Sequence, residues 1–228
     1  MNRKQARDRL LQERAATGKE ARDRLDEALM GHFSALLQYI HGRHIGCYWP
    51  IRGEFNSVPL MMSLHKSGSS VSLPMVDDEN KQLVFCKWHP EALMARDKVG
   101  VPYPADTEYE QPEILLIPLV GFDAQGYRLG YGAGYYDRTL HHMKPPPIAI
   151  GIGYEAGLLE SINPHEMDVP MEFILTERGL RHFRAGRMEW VESGERAASI
   201  MRDLYFFHFR SREGITLSSP VCYADWVD

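Results

Sequence analysis

One stretch limits what this chain can fold into more than any other: ILLIPLVGFDAQGYRLGYGAGYYDRTL, residues Ile114 to Leu140. Its opening, Ile114 to Val120, is a nearly unbroken apolar run, the pattern of a strand buried on both faces of a parallel or mixed sheet. Gly126, Gly130, Gly132 and Gly134 follow, with Arg128, Asp137 and Arg138 as the charges. Alternating glycines strip side chains from a loop, so successive backbone N–H groups can converge on an anion. A helix beginning near Gly134 would add positive potential at the same place. The spacing matches neither the Walker pattern nor the dinucleotide G-x-G-x-x-G, and glycines that serve only turns are the competing reading. Glycines, flanking arginines, Tyr135 and Tyr136 at one strand end favour a phosphate site.

Such a site has to be local. The 228 residues carry 26 basic and 31 acidic side chains, a net charge of −5, so no bulk field draws nucleic acid or an anionic membrane. No stretch has the length of a transmembrane helix, and the charged N-terminus lacks the apolar segment of a secretory signal. A cytoplasmic protein is expected. Cys47, Cys86 and Cys222 are widely spaced and form no C-x-x-C, which argues against a disulfide framework and a zinc site.

From Asn2 to about Ile40 the spacing predicts two helices, with Thr17 as N-cap of the second. Arg3, Lys4, Arg7, Arg9 and Arg14 crowd the first, and a solvated helical face is the usual explanation of such a run. His44 to Trp49 reads as a short strand, Arg52-Gly53-Glu54 as a turn, and Ser57 as the start of a helix. Glu54 at that turn is, on the residues alone, more readily a pre-helix acid than a ligand. Ser70 to Pro74 and Gln82 to Lys87 are further strands joined by an acidic turn. Trp88 to Glu113, with four prolines, predicts little regular structure beyond a helical turn around Glu91 to Ala95. Beyond the glycine loop come a helix at Tyr135 to His142, a buried strand at Ile148 to Ile152, a helical stretch at Glu155 to Leu159 and a last strand at Phe173 to Leu175. Alternating strands and helices predict one main domain, a three-layer α/β/α fold with a mainly parallel, mixed sheet, whose ligands sit beyond the strands' carboxyl ends. From Arg184 the character changes to one amphipathic helix and a polar end. Domain boundaries of 1–183 and 184–228 follow, and the apolar Leu204 to Phe209 would pack on the domain or on a second subunit.

The segment PLVGFDAQGYRLGYGAGYYDRTL resembles the motif of the 5-formyltetrahydrofolate cyclo-ligase (5,10-methenyltetrahydrofolate synthetase) family. RKQAR, YWPIRGE, LVFCKWHPEALMARDKVGVPYP and MDVPMEFILTERG agree in the same order, so the resemblance covers roughly residues 3 to 183. It implies an enzyme that couples ATP hydrolysis, with Mg²⁺, to cyclisation of 5-formyltetrahydrofolate, releasing 5,10-methenyltetrahydrofolate, ADP and phosphate. Phosphorylating the formamide oxygen makes it a leaving group that the folate's other nitrogen can displace. Alignment and charge neutralisation matter more there than a protein nucleophile.

Carried over by position, the resemblance puts ATP on Arg3, Lys4 and Arg7 and on the loop Arg128, Leu129, Gly130, Tyr131, Gly132, Ala133, Gly134, Tyr135 and Tyr136. Folate contacts fall on Trp49, Glu54, Tyr131, Gly132, Ala133, Gly134 and Tyr135. Arg128 and Tyr135 are the implied catalytic pair, and Asp137 and Asp168 the implied magnesium carboxylates. Asp137 has a second reading as a helix N-terminal acid, and Asp168 as an Asx-turn before Pro170. Tyr131 and Ala133 stand where some members carry basic residues, leaving Arg128, Arg138 or Lys144 to meet phosphate. A degenerate folate or nucleotide binder and an ATP-using enzyme with another substrate are the alternatives. The expected state is a monomer or weak homo-oligomer with small-molecule partners and neither nucleic acid nor membrane.

Overall fold

The computed structural model describes residues 1–105 and 107–210. Cys222 and the polar end from Thr216 to Asp228 lie outside the described residues. In chain order the elements are α1 (Arg3–Ala16), α2 (Lys19–Ile40), β1 (His44–Gly46), α3 (Val58–Lys66), β2 (Ser70–Asp77), β3 (Gln82–Trp88), β4 (Met94–Arg96), β5 (Pro102–Pro104) and β6 (Tyr109–Glu110). There follow β7 (Ile114–Pro118), β8 (Gly121–Asp123), β9 (Arg128–Leu129), α4 (Tyr135–His142), β10 (Ile148–Ile152), β11 (Leu158–Leu159), β12 (Phe173–Thr176), β13 (Gly179–Arg184), β14 (Arg187–Val191) and α5 (Gly194–Tyr205).

A nine-stranded sheet has the order β14-β13-β12-β10-β7-β1-β2-β3-β6. Its middle, β12 to β2, is parallel, and antiparallel strands extend it on both sides. The period of two explains the apolar runs. Ile114, Leu116, Ile148, Ile150, Phe173 and Leu175 face a layer containing Leu29, Phe33, Leu60, Leu64 and Met201 of α2, α3 and α5. Leu115, Ile117, Ala149 and Ile174 face the other layer with Phe122 and Leu140. Both faces are covered, so β7 and β10 have no polar side to show. This is the expected α/β sheet.

Several local expectations are corrected. Gly18, not Thr17, caps α2, because Thr17 ends α1 and its hydroxyl donates to the Glu13 carbonyl at 3.1 Å. Glu155 to Gly157 is a single 3₁₀ turn leading into β11, since the chain there pairs with β8. No helical turn forms at Glu91 to Ala95; Met94–Arg96 pairs with Pro102–Pro104 as a hairpin. β12 is not the last strand. β13 escaped notice because its buried polar residues break the apolar pattern: Arg181 pairs with Glu155 at 2.6 Å and lies 4.1 Å over Trp190. The apolar run from Leu204 packs on the chain's own domain, with Leu204 in the core and the Tyr205 hydroxyl donating to Glu113.

The strand β7 does not pass straight into the glycine loop. A small hairpin, β8 with β9, stands between them. Asp123 makes it: its buried carboxylate accepts from the N–H groups of Gln125 at 3.1 Å, Tyr127 at 3.0 Å and Ile162 at 3.1 Å. The turn closes at Gly126, whose φ of 87° suits glycine.

Two predictions concern the scaffold. A Cβ at Gly121 would sit 2.7 Å from Leu10 Cδ1 and 2.8 Å from the Gly157 carbonyl oxygen, and the latter cannot swing aside as a side chain can. Gly121→Ala should therefore cost about 1–3 kcal/mol in urea unfolding. Burial pushes the Glu172 carboxyl up to about 7, against the opposing N–H of Ala149 at 2.7 Å. Between its unfolded value near 4.5 and its folded value near 7 the native state holds the extra proton. This group's contribution to stability therefore falls as pH rises through that window. Glu172→Gln should flatten that part of the stability curve.

Candidate active site

Because β1, β7 and β10 run parallel, the segments that follow them emerge on one edge of the sheet. They are the turn Arg52-Gly53-Glu54, the hairpin and glycine loop, and the turn after Ile152. A hydrogen bond joins the first two: the Tyr131 hydroxyl donates to Glu54 Oε1 at 2.7 Å. Glu54 is 6% exposed, and its other oxygen accepts the Ile51 N–H at 2.9 Å. Desolvation raises its pKa, against the lowering effect of those two donors and of Arg14 and Arg52. Desolvation also raises the Tyr131 hydroxyl, with the Glu54 charge adding to it, so Tyr131 remains a donor. Trp49 lies half-buried against the core beside this turn.

The glycine loop is open as expected. Gly132 has φ 100° and Gly134 φ 68°, and α4 starts directly after. Among the described residues, the N–H groups of Tyr131, Gly132, Ala133 and Gly134 have no hydrogen-bond partner. Gly132 and Ala133 are exposed. Leu129 is fully buried, so only its backbone can face a ligand. Tyr135 and Tyr136 are half-buried, with the guanidinium of Arg138 5.2 Å from the first ring and that of Arg128 5.9 Å from the second.

The cations are arranged differently from a simple reading of the loop. Arg128 is 5% exposed and ion-paired with Asp137 at 2.9 Å, while also donating to the Val169 carbonyl at 3.3 Å. Arg138 donates to the carbonyls of Lys81 at 2.6 Å and Ala133 at 2.8 Å. The charge over the open loop comes from α1. Ala6 and Leu10 pack on Val120, Leu129, Leu159 and Ile162, and this turns Arg3, Arg7 and Arg14 inward. The basic run is thus not a wholly solvated face. Arg7 Nε donates to the Gly130 carbonyl at 2.6 Å, and its guanidinium lies 3.2 Å from where a Gly132 Cβ would be. Desolvation lowers the Arg7 pKa, and the neighbouring Arg3 adds to it. Lys4 is exposed. Asp168 is paired with Arg3 and accepts the His165 N–H at 2.6 Å. Burial works against its charge, but Arg3 and that N–H outweigh it, and its pKa is lowered.

Residues 1–177 match the profile of the 5-formyltetrahydrofolate cyclo-ligase family. The chain belongs to this family. It is 34% identical over 186 residues to the 5-formyltetrahydrofolate cyclo-ligase of Mycolicibacterium smegmatis, covering 77% of this chain and 94% of that one. Its fold is similar to that of the Aquifex aeolicus 5,10-methenyltetrahydrofolate synthetase, with TM-score 0.71, 28% identity and coverage of 84% of this chain and 98% of that one. The Mycoplasma pneumoniae 5,10-methenyltetrahydrofolate synthetase gives TM-score 0.65 at 25% identity, over 78% of this chain and 99% of that one.

Contacts between four separate segments join several of the family-implied positions: Arg3 with Asp168, Arg7 with Gly130, Glu54 with Tyr131 and Arg128 with Asp137. Two arginines at this edge had not been singled out. Arg14 is 8% exposed and donates to the Leu119 and Val120 carbonyls, holding the strand end from which the hairpin departs. Its spacing of seven from Arg7 was a legible signal, since both fall on one helical face. Arg52 gave none: its φ of 50° and Gly53's of 72° set the turn that aims it 5.4 Å over the Tyr131 ring.

Tyr131→Phe removes the donor that joins the two loops and leaves Glu54 with less compensation for its burial. The expected loss is about 1.5–3 kcal/mol in chemical denaturation. Unchanged stability would mean that the bond contributes nothing in solution.

Proposed function

We propose that the chain is a working cyclo-ligase, an ATP-dependent enzyme that closes 5-formyltetrahydrofolate to 5,10-methenyltetrahydrofolate and releases ADP and phosphate. The observation that carries this is the Tyr131–Glu54 bond, which ties the phosphate-type loop to the polar turn at 2.7 Å. One wall thus suits a nucleotide and the adjoining wall a heterocycle with N–H donors. Phosphoryl transfer from one to the other needs little more than alignment and neutralised charge.

In this reading the unpartnered N–H groups of Tyr131 to Gly134 and the guanidinium groups of Arg3 and Arg7 receive the triphosphate. Lys4, exposed on the adjoining face of α1, adds charge at the entrance. Glu54 accepts hydrogen bonds from the pterin ring, and Trp49 and the faces of Tyr131 and Tyr135 form its apolar walls. Arg128 is a positioning residue: buried and ion-paired, it fixes Asp137 and the first turn of α4. Tyr135, at the open end of the loop, is the side chain of the pair that can touch the reacting groups. The basic side chain missing at Ala133 is supplied from α1 by Arg7.

Magnesium fits as a shared ion. Among the described residues no three acidic, His or Cys groups gather to hold a metal by themselves. Asp137 and Asp168, ion-paired with Arg128 and Arg3, are hard oxygen donors beside the loop that would share the ion with phosphate oxygens and water, and the ion would supply neutralisation of phosphate charge. Among the described residues no helix is long and apolar enough to cross a membrane. The free, buried Cys47 and Cys86 support a reducing, cytoplasmic setting.

Purified protein given 5-formyltetrahydrofolate and MgATP should show rising methenyl absorbance over many turnovers. Binding of folate by calorimetry without product would favour the non-catalytic alternative instead. Arg7 is half-buried and bonded through one nitrogen, so Arg7→Ala should raise the KM for ATP about tenfold or more with little loss of stability. An unchanged KM would remove Arg7 from the nucleotide site.

A further inference from the structure

A phosphoryl group that moves from a nucleotide to a folate has to cross the line where the two walls meet, the Tyr131–Glu54 bond. The cations placed so far belong to α1 and to the glycine loop. Arg7 donates to the Gly130 carbonyl, Arg3 is paired with Asp168, and Arg128 is buried against Asp137. One arginine reaches the line from the other wall. Resting on the cyclo-ligase reading, we propose that Arg52 is a further catalytic residue, whose guanidinium contacts the phosphoryl group as it passes from ATP to the formyl oxygen.

The turn fixes where this side chain goes. Arg52 has φ 50° and Gly53 φ 72°, and the turn is closed by the Glu54 N–H donating to the Ile51 carbonyl at 3.0 Å and the Ile51 N–H donating to Glu54 Oε2 at 2.9 Å. Behind it, a Cβ on Gly53 would sit 2.7 Å from Arg22 Nη1 and 3.3 Å from Arg14 Cγ, so the turn cannot settle back toward α1 and α2. A non-glycine residue is thus held in a left-handed backbone conformation that L side chains adopt at a cost. Its guanidinium lies over the Tyr131 ring, 5.4 Å from the ring centre, across from its own turn and on the glycine loop.

That guanidinium can still take an anion. Arg52 is exposed, and among the described residues its guanidinium forms no hydrogen bond or ion pair. Glu54 acts on it electrostatically but forms no ion pair with it, and the Glu54 oxygens accept from the Tyr131 hydroxyl and the Ile51 N–H. Arg14, the other cation that acts on Glu54, is buried and donates to the Leu119 and Val120 carbonyls. An arginine resting on an aromatic face keeps the donors at its edge, and their planar fork matches phosphate oxygens.

In the transfer, the bond from the γ-phosphorus to ADP breaks with its electron pair on ADP, and the formyl oxygen forms the new bond to phosphorus. The folate's other nitrogen then attacks the formyl carbon and loses its proton, and the carbon–oxygen bond breaks with its pair on the departing phosphate. A cation over Tyr131 neutralises the phosphoryl oxygens in the first step and the leaving phosphate in the second.

Steady-state methenyl formation by the full chain separates this role from a structural one. Glycine suits φ 50°, so Arg52→Gly should keep the wild-type urea midpoint. Its kcat should fall about 100-fold or more, the scale of one lost donor to a developing charge, while the KM values for MgATP and 5-formyltetrahydrofolate stay within about threefold. Arg52→Lys, charged but without the fork, should recover part of the kcat. A wild-type kcat in Arg52→Gly, a change confined to either KM, a urea midpoint lowered in step with the rate, or a lysine variant no better than glycine would overturn the proposal. A folded wild type that forms no methenyl product would sink the cyclo-ligase reading itself, whereas an active wild type matched by Arg52→Gly would sink only the role of Arg52.

Discussion

Parallel pairing of β7 between β1 and β10, buried on both faces, is the constraint on which everything else depends. A strand covered on both sides must connect to its parallel neighbours over the faces of the sheet, so the segments that follow each strand collect at one edge. Only then can a glutamate at position 54 meet a tyrosine at position 131. The helices serve this arrangement by covering apolar side chains that alternate between the two layers.

Around that edge, charge is handled by pairing where it is buried and by exposure where it has to meet a ligand. Arg128 and Asp137 neutralise each other beneath the loop, and desolvation lowers the Arg128 pKa while Asp137 opposes that effect. Arg7, half-buried above the loop, keeps part of its guanidinium free. The division follows from solvation: a buried unpaired charge is expensive, whereas a half-exposed one waits for an anion at small cost.

The family profile ends at residue 177, yet the sheet continues through β13 and β14, and α5 packs against α2 in the same core. The additional segment shares the hydrophobic layer of the domain. Its strands were hidden in the sequence by Arg181 and His182, polar residues that are buried because Glu155 and Glu189 compensate them.

The sequence by itself determined the α/β class, the buried strands at Ile114 and Ile148, the glycine loop with a helix behind it, and, through ordered motifs, the cyclo-ligase family. These are local properties: apolar period, glycine at positions of positive φ, and short segments in fixed order. Only the tertiary structure decided which arginines are free. Arg128 looked like the open cation of the loop and is buried against Asp137, whereas Arg3, Arg7 and Arg14, readable as a solvated helical face, are turned inward by Ala6 and Leu10. A side chain's charge is written in the sequence, but its partner and its exposure are set by residues far away in the chain, and those two quantities govern what the charge can bind.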